Sequence, residues 1–219
     1  MDPATIAFYS NNAKVVARRY ESVRSPLSRQ FGKVFSPGGR ILDIGCGSGR
    51  DMAELSRQGY AAYGVDASEE LVQLAQEIHP ELSGRVIQAT LPDFDPPFEG
   101  GFDGVLCSAV LMHIATKSLL NSTLTMKRCL NANGCLLISV PKLRPDISEG
   151  NRDANGRLFS NHPQKCLTLI LSDLGFDLTA RWENSDSMER SGVEWLTLAF
   201  QLNSASLSTG IHGSNSLQV

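Results

Sequence analysis

Ile41-Leu42-Asp43-Ile44-Gly45-Cys46-Gly47-Ser48-Gly49 is the stretch on which the reading of the fold turns. An apolar run carrying one carboxylate leads straight into glycines at every second position, and a helical pattern begins directly after them. Glycine lacks Cβ, so such a turn takes positive φ cheaply and lets a ligand approach the backbone. Many α/β folds open this way, and phosphate-binding turns have to be weighed against it. The dinucleotide fingerprint G-x-G-x-x-G/A needs a third small residue for close helix–strand packing, and Arg50 stands there instead. The Walker pattern GxxxxGK[ST] is absent. The spacing present is D-x-G-x-G-x-G. Its carboxylate would repel a pyrophosphate but suits a ligand carrying an ammonium and a sulfonium.

The next strand pattern ends in Tyr63-Gly64-Val65-Asp66-Ala67-Ser68. An acidic residue about 20 positions after a glycine turn, at the end of the second strand, can accept hydrogen bonds from both hydroxyls of a ribose. Ser68 followed by Glu69 and Glu70 forms a helix start. Alone, Asp66 could as well be a turn residue. Together with the first motif, ribose binding is the better reading.

Around these two motifs, short apolar runs alternate with helical patterns. Strands are expected at 40–45, 60–65, 85–89, 102–108, 134–140, 175–183 and 194–202, and helices at about 49–58, 68–78, 116–130 and 163–174. Strand–helix alternation implies a parallel sheet with helices on both faces. The last two strands have no helix between them and should form an antiparallel hairpin at one edge. Fold class is therefore α/β: a Rossmann-like, seven-stranded, mostly parallel sheet with an antiparallel last strand. One further helix is expected over 4–24, with Tyr9, Ala13, Val16, Tyr20 and Val23 at three- and four-residue steps. Residues 203–219 are rich in Ser, Asn and Gly and read as a disordered tail. The expected organisation is a helical cap over 1–30, one domain over 31–202, and the tail.

With 219 residues, the chain suits one α/β core. A net charge of −3 lacks the basic excess usual where many phosphates are neutralised, which disfavours a nucleic-acid binder. Cys46, Cys107, Cys129, Cys135 and Cys166 are scattered with no CxxC pair, so neither a zinc site nor a disulfide framework is suggested. No apolar run is long enough for a signal peptide or a bilayer span, and a cytoplasmic protein is expected.

ILDIGCGSGRD, YGVDAS, FDGVLCSAVLMHI and LNANGCLLISVP together resemble the class I S-adenosylmethionine-dependent methyltransferases, specifically small bacterial single-domain members. The likeness runs over roughly residues 5–202. It implies S-adenosylmethionine as cofactor, with Asp43 and the backbone of Gly45 and Gly47 facing its methionine portion. Asp66 would hold the ribose, Ala67 and the backbone of Thr90 and Leu91 would lie by the adenine, and Ser108 would sit beside the methionine moiety. Tyr20 and Cys46 complete the expected cofactor set. The family often carries an acid just after the third strand, where this chain reads Gln88-Ala89-Thr90-Leu91.

Asp95-Pro96-Pro97-Phe98 looks like the base-clamping motif of amino-group DNA methyltransferases, but it precedes the fourth strand rather than following it. It reads as a rigid loop. His113 falls soon after that strand, on the ligand side of such folds, and is either a general base or a packing histidine. His79 and His162 each precede a proline, and no spacing suggests a metal. The polar segment 141–162 carries Lys142, Arg144, Arg152 and Arg157 among Asp146, Glu149 and Asp153; its length suits a binding loop. The expected partner is a small-molecule methyl acceptor held by Tyr9, the His113 region and this segment, in a monomer or homodimer. Arg152 and Arg157 would suit an anionic group on it, or would pair with the loop's own acids. The alternatives are a nucleic-acid or protein methyltransferase and a catalytically silent cofactor-binding protein.

Overall fold

The computed structural model describes residues 1–147 and 150–203. The chain runs α1 (Pro3–Asn11), α2 (Ala13–Glu21), α3 (Ser28–Val34), β1 (Arg40–Ile44), α4 (Arg50–Arg57), β2 (Ala61–Asp66) and α5 (Glu69–Ile78). It continues through β3 (Val86–Gln88), β4 (Phe102–Ser108), α6 (Leu119–Cys129), β5 (Leu130–Leu143), α7 (Gln164–Asp173), β6 (Phe176–Ser185) and β7 (Glu194–Leu202). One seven-stranded sheet has the order β3-β2-β1-β4-β5-β7-β6. Strands β1 to β5 pair in parallel, and β7 lies antiparallel between β5 and β6.

Central strands buried on both faces should read as nearly continuous apolar runs, and they do. Ile41, Leu106, Leu137 and Ala199 face the layer holding Phe31, Met52 and Leu55, on α3 and α4. Their neighbours Leu42, Val105, Leu136 and Leu198 face the layer of Met126, Leu167 and Leu171, on α6 and α7. The strand order reverses between β1 and β4, and the carboxyl ends of these two strands open the crevice where such sheets bind ligands.

All seven strands lie where the sequence pattern placed them; β5 is longer than expected, reaching from Leu130 to Leu143. The single helix expected over 4–24 is instead two. Asn12 leaves helical geometry at φ −114° and ψ 14°, and its side-chain amide donates to the Phe8 carbonyl at 2.8 Å, competing with continuation of the helix. Asp2 caps α1 by accepting from the Thr5 amide at 2.9 Å, with Pro3 next in sequence. Ala13, Val16 and Ala17 of α2 pack on Leu71 of α5. Helix α3, between Pro26 and Pro37, was not anticipated, and the expected boundary at residue 30 falls inside it. Asn203, expected in the tail, belongs to the fold: its amide donates to the Gly175 carbonyl at 2.9 Å. The rest of that tail lies outside the described residues. Among the described residues no helix is long and apolar enough to cross a membrane.

Candidate active site

The turn after β1 is held open by its glycines. Gly45, Gly47 and Gly49 have φ of 77°, 57° and 86°. A Cβ on Gly45 would lie 2.3 Å from a methyl of Val110, so this position has neither the dihedral nor the room for a side chain. The Gly47 amide donates to Asp66 Oδ2 at 2.9 Å, and the Ser68 amide to Asp66 Oδ1 at the same distance. Asp66 is thereby fixed at the end of β2, and each oxygen keeps capacity to accept a second bond. Ser48 Oγ donates to Glu21 at 2.6 Å, tying the end of α2 to the turn.

Three buried carboxylates surround this turn: Asp43, Asp51 and Asp66. Burial is the main reason that the Asp43 carboxyl is held well above its ordinary range; Asp51 adds to it, while Arg50 opposes. Burial also raises Asp66 against the pull of its backbone amides. Arg50 is the nearby cation, bonded to Asp51 at 2.9 Å and lying over the Tyr20 ring. Burial pushes the Cys46 thiol up too, so it stays protonated and unreactive.

A cavity opens from the turn across the ends of β4, β5 and β7. Its wall near β4 holds Ser108 and Ser139, whose hydroxyls are 3.3 Å apart, and Ala109, which adopts φ 59°. A non-glycine residue in that region stores strain, a frequent mark of functional strand ends. Beyond it lies a relay of hydrogen bonds. His113 Nδ1 is 2.6 Å from the Leu158 carbonyl, which can only accept, so Nδ1 carries the proton. His113 Nε2 is then the acceptor, and the Tyr9 hydroxyl donates to it at 3.1 Å. Arg157 Nη1 donates in turn to the Tyr9 oxygen at 3.2 Å. Burial lowers the His113 pKa to about 4, with the Leu158 bond opposing and Arg157 adding to the fall. The imidazole is neutral at pH 7.

The structure brings most of the expected site residues to one cavity: Tyr9, Tyr20, Asp43, Gly45, Cys46, Gly47, Asp66, Ala67, Ser108, His113 and Arg157 all line it. Thr90, Leu91 and Arg152 are not among the lining residues. Leu91 is packed into the core, and its carbonyl accepts from the amine of Met1, which itself lines the cavity. Arg152 binds Asp2 through both oxygens, at 2.7 and 3.0 Å, and clips the start of α1 to the long segment. Arg157 pairs with Asp153 at 2.6 Å while keeping its place on the cavity wall.

Other lining residues had drawn no attention as site residues. Arg144 was noted only as a loop charge; its guanidinium stacks on Phe159 at 4.1 Å and is bound by both oxygens of Asp146 at 2.7 Å. The connection between β6 and β7 also lines the cavity. Asp186 accepts from Arg190 at 2.7 and 2.9 Å and from the Trp195 indole at 2.8 Å. One signal was available: residues 186–193 make a connection longer than the roughly two to five residues usual in hairpins. Among the described residues no cluster of three or more His, Cys, Asp or Glu is arranged to hold a metal.

The sequence model of a methyltransferase domain matches residues 15–181. Among curated proteins, the magnesium-protoporphyrin O-methyltransferase of Rhodobacter capsulatus is 36% identical over 77 residues, 35% of this chain and 34% of that protein. The ubiquinone biosynthesis O-methyltransferase of Xanthomonas campestris is 34% identical over 85 residues, 37% of this chain and 35% of that protein. These matches thus span about a third of the relatives' own length. Among solved structures, the 1,6-didemethyltoxoflavin-N1-methyltransferase of Burkholderia thailandensis, with its acceptor and S-adenosylhomocysteine bound, superposes with a TM-score of 0.68. That match has 20% identity and covers 91% of this chain and 88% of the other.

Proposed function

The chain belongs to the methyltransferase-domain family, and from that premise we propose that it transfers a methyl group from S-adenosylmethionine to a small-molecule acceptor. The observation that carries this reading is the one cavity with two unlike halves: a glycine turn flanked by buried carboxylates, opening onto an aromatic-walled space.

The residues present fit the cofactor. Gly45 and Gly47 line the cavity at positive φ without side chains, so a ligand can approach their backbone, and Asp66 is set with free acceptor capacity for two ribose hydroxyls. Buried carboxylates at elevated pKa are electrostatically unfavourable until a cation arrives, and the ammonium and sulfonium groups would offset Asp43 and its neighbours. Ala67, Ser108 and Tyr20 line the same cavity; Ala67 would lie by the adenine, and Ser108 and Tyr20 would bound the methionine end. When bound, the cofactor supplies a methyl group on an already activated, positively charged sulfur.

Its leaving group being activated, the reaction asks the protein chiefly for alignment and exclusion of water. Tyr9 and Tyr20, on α1 and α2, line the cavity and would close over a bound cofactor and acceptor. The Tyr9 hydroxyl donates to His113 and accepts from Arg157, which fixes its orientation on the cavity wall. His113, neutral and weakly basic, positions Tyr9 rather than collecting protons at neutral pH. The small-molecule O- and N-methyltransferases among the similar proteins support an acceptor of that size.

Radiolabel transfer from the cofactor into fractionated metabolite pools, with formation of S-adenosylhomocysteine followed in parallel, tests the proposal. Labelled product that disappears with Asp66→Ala supports it. Cofactor binding with no transfer to any pool would return the protein to the class of silent binders.

A further inference from the structure

We propose that α1 and a short hairpin of residues 151–159 form one body, in which Asp2 and Thr5 are positioning residues that act through the hairpin to hold Tyr9 and His113 in the cavity wall. The proposal rests on the methyltransferase reading for what that wall encloses, the methyl acceptor, and on geometry for the rest.

Asp2, Thr5 and Tyr9 stand three and four residues apart, which brings them to one side of α1. Each meets the hairpin. Asp2 takes both terminal nitrogens of Arg152, at 2.7 and 3.0 Å. Thr5 Oγ1 accepts from the Leu158 amide at 2.9 Å and donates to Asp2 at 2.9 Å. Tyr9 accepts from Arg157 at 3.2 Å, and the same guanidinium lies 4.6 Å from the centre of the Phe8 ring. The bond from Arg152 holds the Asp2 carboxyl well below its usual range, and Thr5 is fully buried. The hairpin has its own closure: Arg152 and Leu158 bridge antiparallel, and the Phe159 amide donates to the Asn151 carbonyl at 2.6 Å. Three rungs thus join two ordered pieces that are distant in sequence.

His113 is clamped between the pieces. Its Nδ1 is bound by the Leu158 carbonyl of the hairpin and its Nε2 by the Tyr9 hydroxyl of α1. The rings of Phe159 and Tyr9 meet the imidazole edge-on, with centres 4.8 and 5.6 Å away. The charged and titratable groups facing it are Tyr9 from α1 and Arg144, Asp153 and Arg157 from the long segment. Asp2 and Thr5 are not among the cavity's lining residues, so their influence on it runs through the rungs. Parting α1 from the hairpin would strip the imidazole of a partner and admit water. Its pKa, about 4 when enclosed, would then climb towards 6.5.

NMR titration of the histidine rings in the full chain tests this, with His113 assigned by its loss in His113→Gln. Thr5→Val keeps the side-chain shape and removes both hydroxyl bonds. It should open the body on the order of tenfold more often and raise the His113 midpoint by up to about one pH unit. Arg152→Gln should do the same from the other side. Amide hydrogen exchange should quicken in the hairpin for Thr5→Val and in α1 for Arg152→Gln, because coupling between two parts is reciprocal. Asp2→Asn, which keeps the helix cap, should act in the same direction and less strongly. Ile41→Val, in the opposite layer, lowers stability without touching the body and should leave the midpoint in place. An unmoved midpoint in both Thr5→Val and Arg152→Gln, exchange that quickens only in the piece mutated, or an equal shift in Ile41→Val would each overturn the proposal. S-adenosylhomocysteine titrated into the same samples tests the cofactor reading separately: failure to bind, with the coupling intact, would overturn that reading and not the coupling.

Discussion

The two halves of the cavity handle carboxylates in opposite ways. Around the glycine turn, Asp43 and Asp66 are buried, raised in pKa and short of cations, with Arg50 engaged by Asp51. Across the cavity, Asp146, Asp153 and Asp186 each meet an arginine. Bonds from Arg144 hold the Asp146 carboxyl below its usual range; for Asp153 and Asp186, burial works upward, but the bonds from Arg157 and Arg190 prevail and hold both low. One half is set to receive positive charge from a ligand. The other has settled its charge internally and offers shape and hydrogen bonds instead.

The largest expected effect concerns His113, the uncharged centre of the half that holds these ion pairs. Its folded pKa, about 4, lies below the unfolded value of 6.5. Its contribution to stability is therefore complete above the unfolded value and is lost as pH falls from 6.5 towards 4. Over that window the wild type should lose on the order of 3 kcal/mol more than His113→Gln, read from urea melts at a series of pH values. Parallel curves for the two proteins would mean that the imidazole is hydrated and charged, and the relay with Tyr9 wrongly drawn.

Asp186→Asn strikes the settled charge directly, stranding Arg190 and weakening the Trp195 contact. A loss of about 2 kcal/mol in thermal or chemical melts is expected, with cofactor affinity near wild type. In the other half, Asp66→Ala should spare the fold and weaken cofactor binding by about 2 kcal/mol, through two charge-assisted ribose bonds. Calorimetry showing unaltered affinity would remove Asp66 from the site. The smallest effect is the most discriminating. Because the Asp43 pKa is raised on folding, its ionised form costs stability as pH rises through the folded value. Asp43→Asn should then make the ligand-free protein about 1 kcal/mol more stable at alkaline pH while weakening the cofactor. A variant less stable in both respects would show that Asp43 is compensated like its counterparts across the cavity.

Strands, helices and the glycine turn were legible because they depend on local chemistry. Continuous apolar runs, Gly45 and Gly47 at positive φ, and Ser68 capping α5 through the Leu71 amide each follow from residues within a few positions of one another. The break at Asn12 was local too, but its side-chain bond to Phe8 competes with a helix that the apolar stripe continues to support. Asp66 was readable from its distance after the turn and its place at a strand end.

Arginine placement was not readable in this way. The segment 141–162 holds several cations and several acids, and their alternative pairings differ little in energy by sequence alone. Arg152 found Asp2, 150 residues away, and so left the cavity to Arg157 and Arg144. The cap of Asp186, Arg190 and Trp195 likewise exists only because β7 inserts beside β5 and brings the hairpin tip over the strand ends. By itself the sequence determined the sheet, the turn and the carboxylates beside it, since backbone geometry and burial pattern are encoded within short windows. Tertiary structure alone decided which charges line the cavity and which pair away from it, because ion pairing is long in reach and is settled only when the whole chain has fixed what stands beside what.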